Sequence, residues 1–154
     1  MAGTPGVDRD VCKLVHHLAH TLDVHVRRVA EQMGLTPSQV IALRELSEPI
    51  TARELAARMV CEASNATFVL DRLEEQDLIQ RQPHPADRRA KQIVLTPAGK
   101  RRRTEALRHL DARSPLAPLS PAQQESLREL LRALTPDSTA RGDPSPESRL
   151  SSVE

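Results

Sequence analysis

The chain has 154 residues, 38% of them hydrophobic, with a single Phe and no Tyr or Trp, and a formal net charge of +1 at pH 7. That length suits one domain with appendages, and a core left to Leu, Val, Ala and Ile favours helices. No apolar run approaches the ~20 residues a bilayer crossing needs, and the polar opening MAGTPGVDRD lacks a signal-type apolar centre, so a cytoplasmic protein with no membrane role is expected.

Residues 7–33 read as a first helix, because Val11, Leu14, Val15, Leu18, Leu22, Val26, Val29 and Met33 recur every three or four positions as one apolar stripe. Gly34 offers a stop. Thr36-Pro37-Ser38-Gln39 restarts the chain: Thr36 caps, Pro37 suits the first turn, and Gln39 completes a capping box. This second helix, to about residue 47, buries Val40, Leu43 and Leu46. Thr51 caps a third helix with Glu54 as box partner, and Leu55, Ala56 and Met59 face inward. After a turn at Val60, Cys61 and Glu62, residues 63–76 form a fourth helix. At about 100° per residue its apolar face is Ala66, Val69, Leu70 and Leu73. Ser64, Asn65, Phe68, Asp71, Arg72 and Glu75 lie opposite, with Thr67 on the flank.

Residues 79–82 and 91–95 alternate as two antiparallel strands, and the proline-rich, polar stretch 83–89 between them is a projecting loop. Thr96 and Pro97 start a fifth helix to about residue 113, and Ser120 to Gln123 start a sixth whose stripe is Leu127, Leu130, Leu131 and Leu134. Residues 135–154 hold Ser, Pro and charge with little to bury, so a disordered tail is expected. Charge is unevenly spread. From Arg81 to Arg103 eight Lys or Arg face one acid, Asp87, a local +7 in a chain of net +1, so the rest is acidic on balance. Such a field concentrates a polyanion even when net charge is near zero, and points to nucleic acid.

Helix, turn, helix, then a two-stranded hairpin is the order of a winged helix-turn-helix. With long helices on both sides it resembles the MarR family of bacterial transcriptional regulators over roughly residues 10–134. The resemblance rests on SNAT-x-x-x-DRLE-x-x-x-LI from Ser64, P-x-DRR from Pro85 and LTPAGK from Leu95, in this order and spacing. It implies a mainly α fold with a small antiparallel β-hairpin. Residues 1–34 would be an N-terminal dimerisation helix, 35–96 the DNA-binding domain, and 97–134 the C-terminal dimerisation helices. It further implies a homodimer on a pseudo-palindromic double-stranded DNA operator, most often as a repressor, released by a small-molecule effector or an oxidant. Two departures from the family pattern are Phe68, where a polar or basic residue is common, and Val60, where helix-turn-helix turns often carry Gly.

Side chains near the start of a helix lying in the major groove reach base edges, which nominates Ser64, Asn65, Thr67, Phe68 and Arg72 as DNA contacts. Phe68 suits a thymine methyl, or else packs against the wing. Arg72 suits a phosphate or guanine, or else pairs with Glu75 or Asp71. Arg88 and Arg89 at the hairpin tip fit a narrow minor groove, and the resemblance makes Asp87 the brace that orients the arginine. Lys100, Arg101, Arg102 and Arg103 open a helix, where cations oppose the macrodipole, so phosphate contact or partner pairing is expected of them.

Cys12 beside Lys13, near the start of the first helix, is a candidate redox thiol, against a plain interface thiol. The family's peroxide sensors pair such a cysteine with tyrosines, and this chain has none. Cys61 fits a small buried position. His16, His17, His20 and His25 include a one-turn pair, but its face also carries Lys13, Asp23 and Arg27, so no metal site is expected. Phosphate loop, nucleophile elbow and paired apolar carboxylates are all missing from the sequence, so neither catalysis nor a cofactor is expected. The competing readings are a redox-sensing regulator acting through Cys12 and a winged-helix module that binds protein.

Overall fold

Four helices begin on side-chain caps written into the sequence. In the computed structural model, which describes residues 5–60 and 63–135, the order is α1 (Pro5–Met33), α2 (Pro37–Glu45), β1 (Ile50–Thr51), α3 (Ala52–Met59), α4 (Ala63–Glu75), β2 (Ile79–Pro83), β3 (Lys91–Leu95), α5 (Pro97–Ala112) and α6 (Pro121–Leu134). Cys61 and the expected tail beyond Thr135 lie outside the described residues. The Thr36 hydroxyl accepts from the Gln39 N–H while the Gln39 side chain accepts from Thr36 N–H, at 3.2 and 2.9 Å. Thr51 with Glu54, and Ser120 with Gln123, repeat this reciprocal box. Accepting the Thr51 N–H holds the Glu54 carboxyl below the usual carboxylate range. Gly34 ends α1 at φ 65°, a conformation that favours a residue without Cβ.

The sheet holds one strand more than the two expected. Order is β1-β3-β2, antiparallel throughout, with Ile50 opposite Ile93 on one side of β3 and Arg81 opposite Ile93 on the other. A two-residue strand is too short to show the period-two alternation by which strands are read from sequence.

The chain divides after Pro118 into two compact units. In the first, Leu43, Leu46, Ile50, Leu55, Val69, Leu70, Leu73, Ile79 and Ile93 pack into one cluster that joins α2, α3 and α4 to the sheet. A second cluster of Val26, Val29, Ala30, Met33, Val40 and Ala106 fastens the C-terminal half of α1 to α2 and α5. Burial of this kind contributes about 1.5–3 kcal/mol for each large aliphatic side chain. The stripe of α1 is therefore covered only in part: Val7, Val11, Leu14, Val15 and Leu22 remain exposed. In the second unit, α6 buries nothing of its own, and Leu130, Leu131 and Leu134 are exposed. No helix among the described residues is long and apolar enough to cross a membrane.

Candidate nucleic-acid interface

α4 turns its buried side inward as its periodicity requires. Ala66, Val69, Leu70 and Leu73 are at most 3% exposed, so Ser64, Asn65, Thr67, Phe68 and Arg72 all fall on the open face. Phe68 is turned largely to solvent. It is 61% exposed, and the Arg72 guanidinium stands over its ring, 5.6 Å from the centroid. Arg72 also reaches Glu75 at 3.6 Å, with both side chains largely in solvent, where such a pair contributes little. The other acids of this face are engaged elsewhere: Arg81 on β2 bonds to Asp71 at 2.6 Å and also to Glu74. One arginine thus ties the wing to α4 and offsets two carboxylates that would repel a phosphate backbone.

The wing tip is shaped by its own backbone. His84 N–H donates to the Ala90 carbonyl at 3.0 Å, and Ala90 N–H to the Asp87 carbonyl at 3.2 Å. The Asp87 carboxylate accepts the backbone N–H of Arg89 at 2.9 Å. Asp87 therefore fixes the course of the loop through the backbone of Arg89. No ion pair among the described residues engages Arg88 or Arg89, which stand exposed with Lys91.

The basic start of α5 divides in two. Lys100 and Arg101 are exposed. Arg102 donates to the carbonyl of Met33, the last residue of α1, and pairs with Glu105 at 2.7 Å. Arg103 donates to the carbonyl of Arg44, in the last turn of α2, at 3.3 Å. A helix C-terminus leaves carbonyls without intrahelical partners and carries partial negative charge, so both guanidinium groups sit where cations are favoured. The expected phosphate or partner contact is thus replaced, for Arg102 and Arg103, by two helix ends inside their own chain. Arg81, Arg102 and Arg103 are the residues that a charge count misassigns. The signal available for Arg81 is the pair Asp71 and Glu74, one turn apart on the helix just before its strand.

Cys12 is exposed on α1. His16, His17 and His20 are on the outside too, while His25 is buried at 7% and its Nε2 lies 2.8 Å from the Leu110 carbonyl, linking α1 to α5 as a satisfied core histidine. No group of side chains among the described residues could hold a metal ion.

Comparison with known proteins agrees with this geometry. The MarR family model matches residues 35–91, the stretch from before α2 to the start of β3. The chain is 29% identical over 133 residues to the HTH-type transcriptional regulator YsmB of Bacillus subtilis strain 168, itself uncharacterized, covering 85% of this chain and 82% of YsmB. A crystal structure of a probable transcriptional regulator from Pseudomonas aeruginosa is 30% identical and superposes at a TM-score of 0.62, with 83% of this chain and 98% of that one covered. The fold is also shared with a mutant of E. coli MarR complexed with operator DNA, at 20% identity and a TM-score of 0.68 over 88% of this chain and 100% of that one. The open face of α4 beside an arginine-tipped wing, on a scaffold common to these proteins, fits a reader of DNA: the chain belongs to the MarR family of winged-helix, DNA-binding transcriptional regulators.

Proposed function

We propose that the protein is a homodimeric repressor that binds a pseudo-palindromic operator in duplex DNA and is released by a small-molecule or oxidant signal. Ser64, Asn65, Thr67, Phe68 and Arg72 enter the major groove, and Arg88 and Arg89 enter the adjacent minor groove on a loop held by Asp87. The observation that carries this reading is the joint exposure of one face of α4 and a wing tip whose arginines form no ion pair among the described residues. The operator complex of E. coli MarR, of the same fold, supports it.

Dimerisation is supported by the uncovered apolar side chains of α1 (Val7, Val11, Leu14 and Val15) and by those of α6 (Leu130, Leu131 and Leu134). A two-fold dimer sets its recognition helices about one DNA turn apart, ~34–36 Å. A signal acts by shifting the population away from that spacing, and operator occupancy represses by excluding polymerase from an overlapping promoter. Work on DNA places the protein in the cytoplasm. The exposed thiol of Cys12 is one place where an oxidant could act.

Footprinting of the purified chain on its own upstream DNA, with affinity followed against salt, tests this proposal. Several phosphate contacts give a steep inverse salt dependence, and Arg88→Ala weakens binding while leaving oligomeric state and fold intact. Salt-independent or absent DNA binding would instead favour a protein-binding winged helix.

A further inference from the structure

The chain's single Phe, in a sequence without Tyr or Trp, stands on the open face of α4, and it is not idle there. The Arg72 guanidinium stands over the Phe68 ring, and with the residue 61% exposed much of the ring remains open to solvent. The two residues are one helical turn apart, about 6 Å along the axis, and their working ends meet 5.6 Å apart. A guanidinium held in a plane is suited to the O6 and N7 acceptors of guanine. The base 5′ to that guanine lies one step away on the same strand, about 3.4 Å. If it is a pyrimidine with a C5-methyl group, the methyl projects into the major groove and meets the free part of the ring.

We propose that Phe68 and Arg72 form one recognition unit for a 5-methylpyrimidine–guanine step, with Arg72 reading guanine and Phe68 reading the methyl group before it. The inference rests on the reading of α4 as the major-groove helix and names what that helix recognises. The methyl, and not the exocyclic group at C4, is what the ring senses. Thymine followed by guanine therefore meets the requirement, and 5-methylcytosine restores the apolar contact that cytosine and uracil lack. Docking releases Arg72 from Glu75, an exposed pair that contributes little. Asp71 and Glu74 stay bonded to Arg81 and do not compete for the guanidinium.

The test uses the full chain and a pool of random-sequence duplexes. Selection should enrich half-sites that contain thymine followed by guanine. Replacing that thymine by uracil in the selected duplex should weaken binding about four-fold per half-site, the value of one methyl group removed from water. 5-Methylcytosine at the same position should bind more tightly than cytosine by a similar factor. Phe68→Ala, a change at a solvent-facing position that circular dichroism can confirm as folded, should bind thymine and uracil duplexes alike. Arg72→Ala should lose the preference for guanine. Enriched sites without the step, equal wild-type affinity for thymine and uracil duplexes, or persisting discrimination in Phe68→Ala would overturn the unit while leaving the regulator reading standing. Failure to enrich any sequence would overturn both.

Discussion

Gly99→Ala should destabilise the fold by about 3 kcal/mol, although the same change in an exposed helix stabilises by roughly 1 kcal/mol. Gly99 lies in the first turn of α5, against the chain leaving α4. A Cβ added there would stand 1.8 Å from the Leu78 carbonyl oxygen and 2.9 Å from its carbon. These are backbone atoms, so no side chain can swing aside, and α5 must retreat by more than an ångström. The retreat acts on the two hydrogen bonds that seat the helix on the chain after α4, Thr96 N–H to the Leu78 carbonyl at 3.0 Å and Thr96 hydroxyl to the Asp77 carbonyl at 2.7 Å; the same hydroxyl caps α5 by accepting Gly99 N–H at 2.9 Å. Overpacking of this kind costs about 1–3 kcal/mol, and each weakened hydrogen bond adds about 0.5–1.5 kcal/mol. Less the gain in helix propensity, a loss of about 3 kcal/mol remains, roughly 10 °C in Tm for a chain of this size. Denaturant and thermal unfolding at fixed protein concentration measure it. Gly6→Ala is the control, since an added Cβ there meets nothing within 4 Å. Unchanged or raised stability in Gly99→Ala would refute the close approach of α5 to Leu78.

At the end of α3, Val60 is left-handed at φ 54° and ψ 49° and 92% exposed, so a branched residue bears the strain with no packing in return. Val60→Gly should raise stability by about 0.5–1 kcal/mol after the extra unfolded-chain entropy of glycine is deducted, read as a higher denaturation midpoint; a lower one would show that the valine is held there by a contact. Arg81→Ala should cost about 1 kcal/mol of stability, discounted for half-exposed partners. In the same variant DNA affinity should fall roughly three- to ten-fold at low salt, because Asp71 and Glu74 are left uncompensated on α4, with the deficit narrowing as salt rises. A deficit that does not respond to salt would assign Arg81 to packing alone.

The helices were legible because their signals are local. A Thr or Ser cap with Gln or Glu three positions on, and a stripe repeating every three to four residues, need no knowledge of the rest of the chain, and Thr36, Thr51 and Ser120 cap as their sequences require. Sidedness was legible for the same reason, since burying Ala66, Val69, Leu70 and Leu73 puts Phe68 and Arg72 outside. What escaped depends on the fold. The strand at Ile50 and Thr51 exists only because β3 passes beside it. The tight seat of Gly99 exists only because the chain at Leu78 returns to the start of α5. That the Arg72 guanidinium stands over the Phe68 ring is a matter of side-chain conformation, which helical spacing does not decide.

The basic cluster shows why charge counting overstates a binding patch. A guanidinium is equally positive whether it faces phosphate, a carboxylate or a carbonyl at a helix end, and sequence alone does not separate the three. Arg81 is spent on Asp71 and Glu74, Arg102 on Met33 and Glu105, and Arg103 on Arg44. The last two have a consequence for how the helices are coupled. They bind the first turns of α5 to the C-terminal ends of α1 and α2, while Thr96 binds the same helix to the chain between α4 and β2. Within the chain, α5 is thereby fastened both to the C-terminal ends of α1 and α2 and to the base of the wing. A shift of α1 relative to α5 cannot be absorbed by a slack joint between them; it must either break these carbonyl contacts or carry α2 and the wing along. This joins the exposed apolar end of α1 mechanically to the open face of α4.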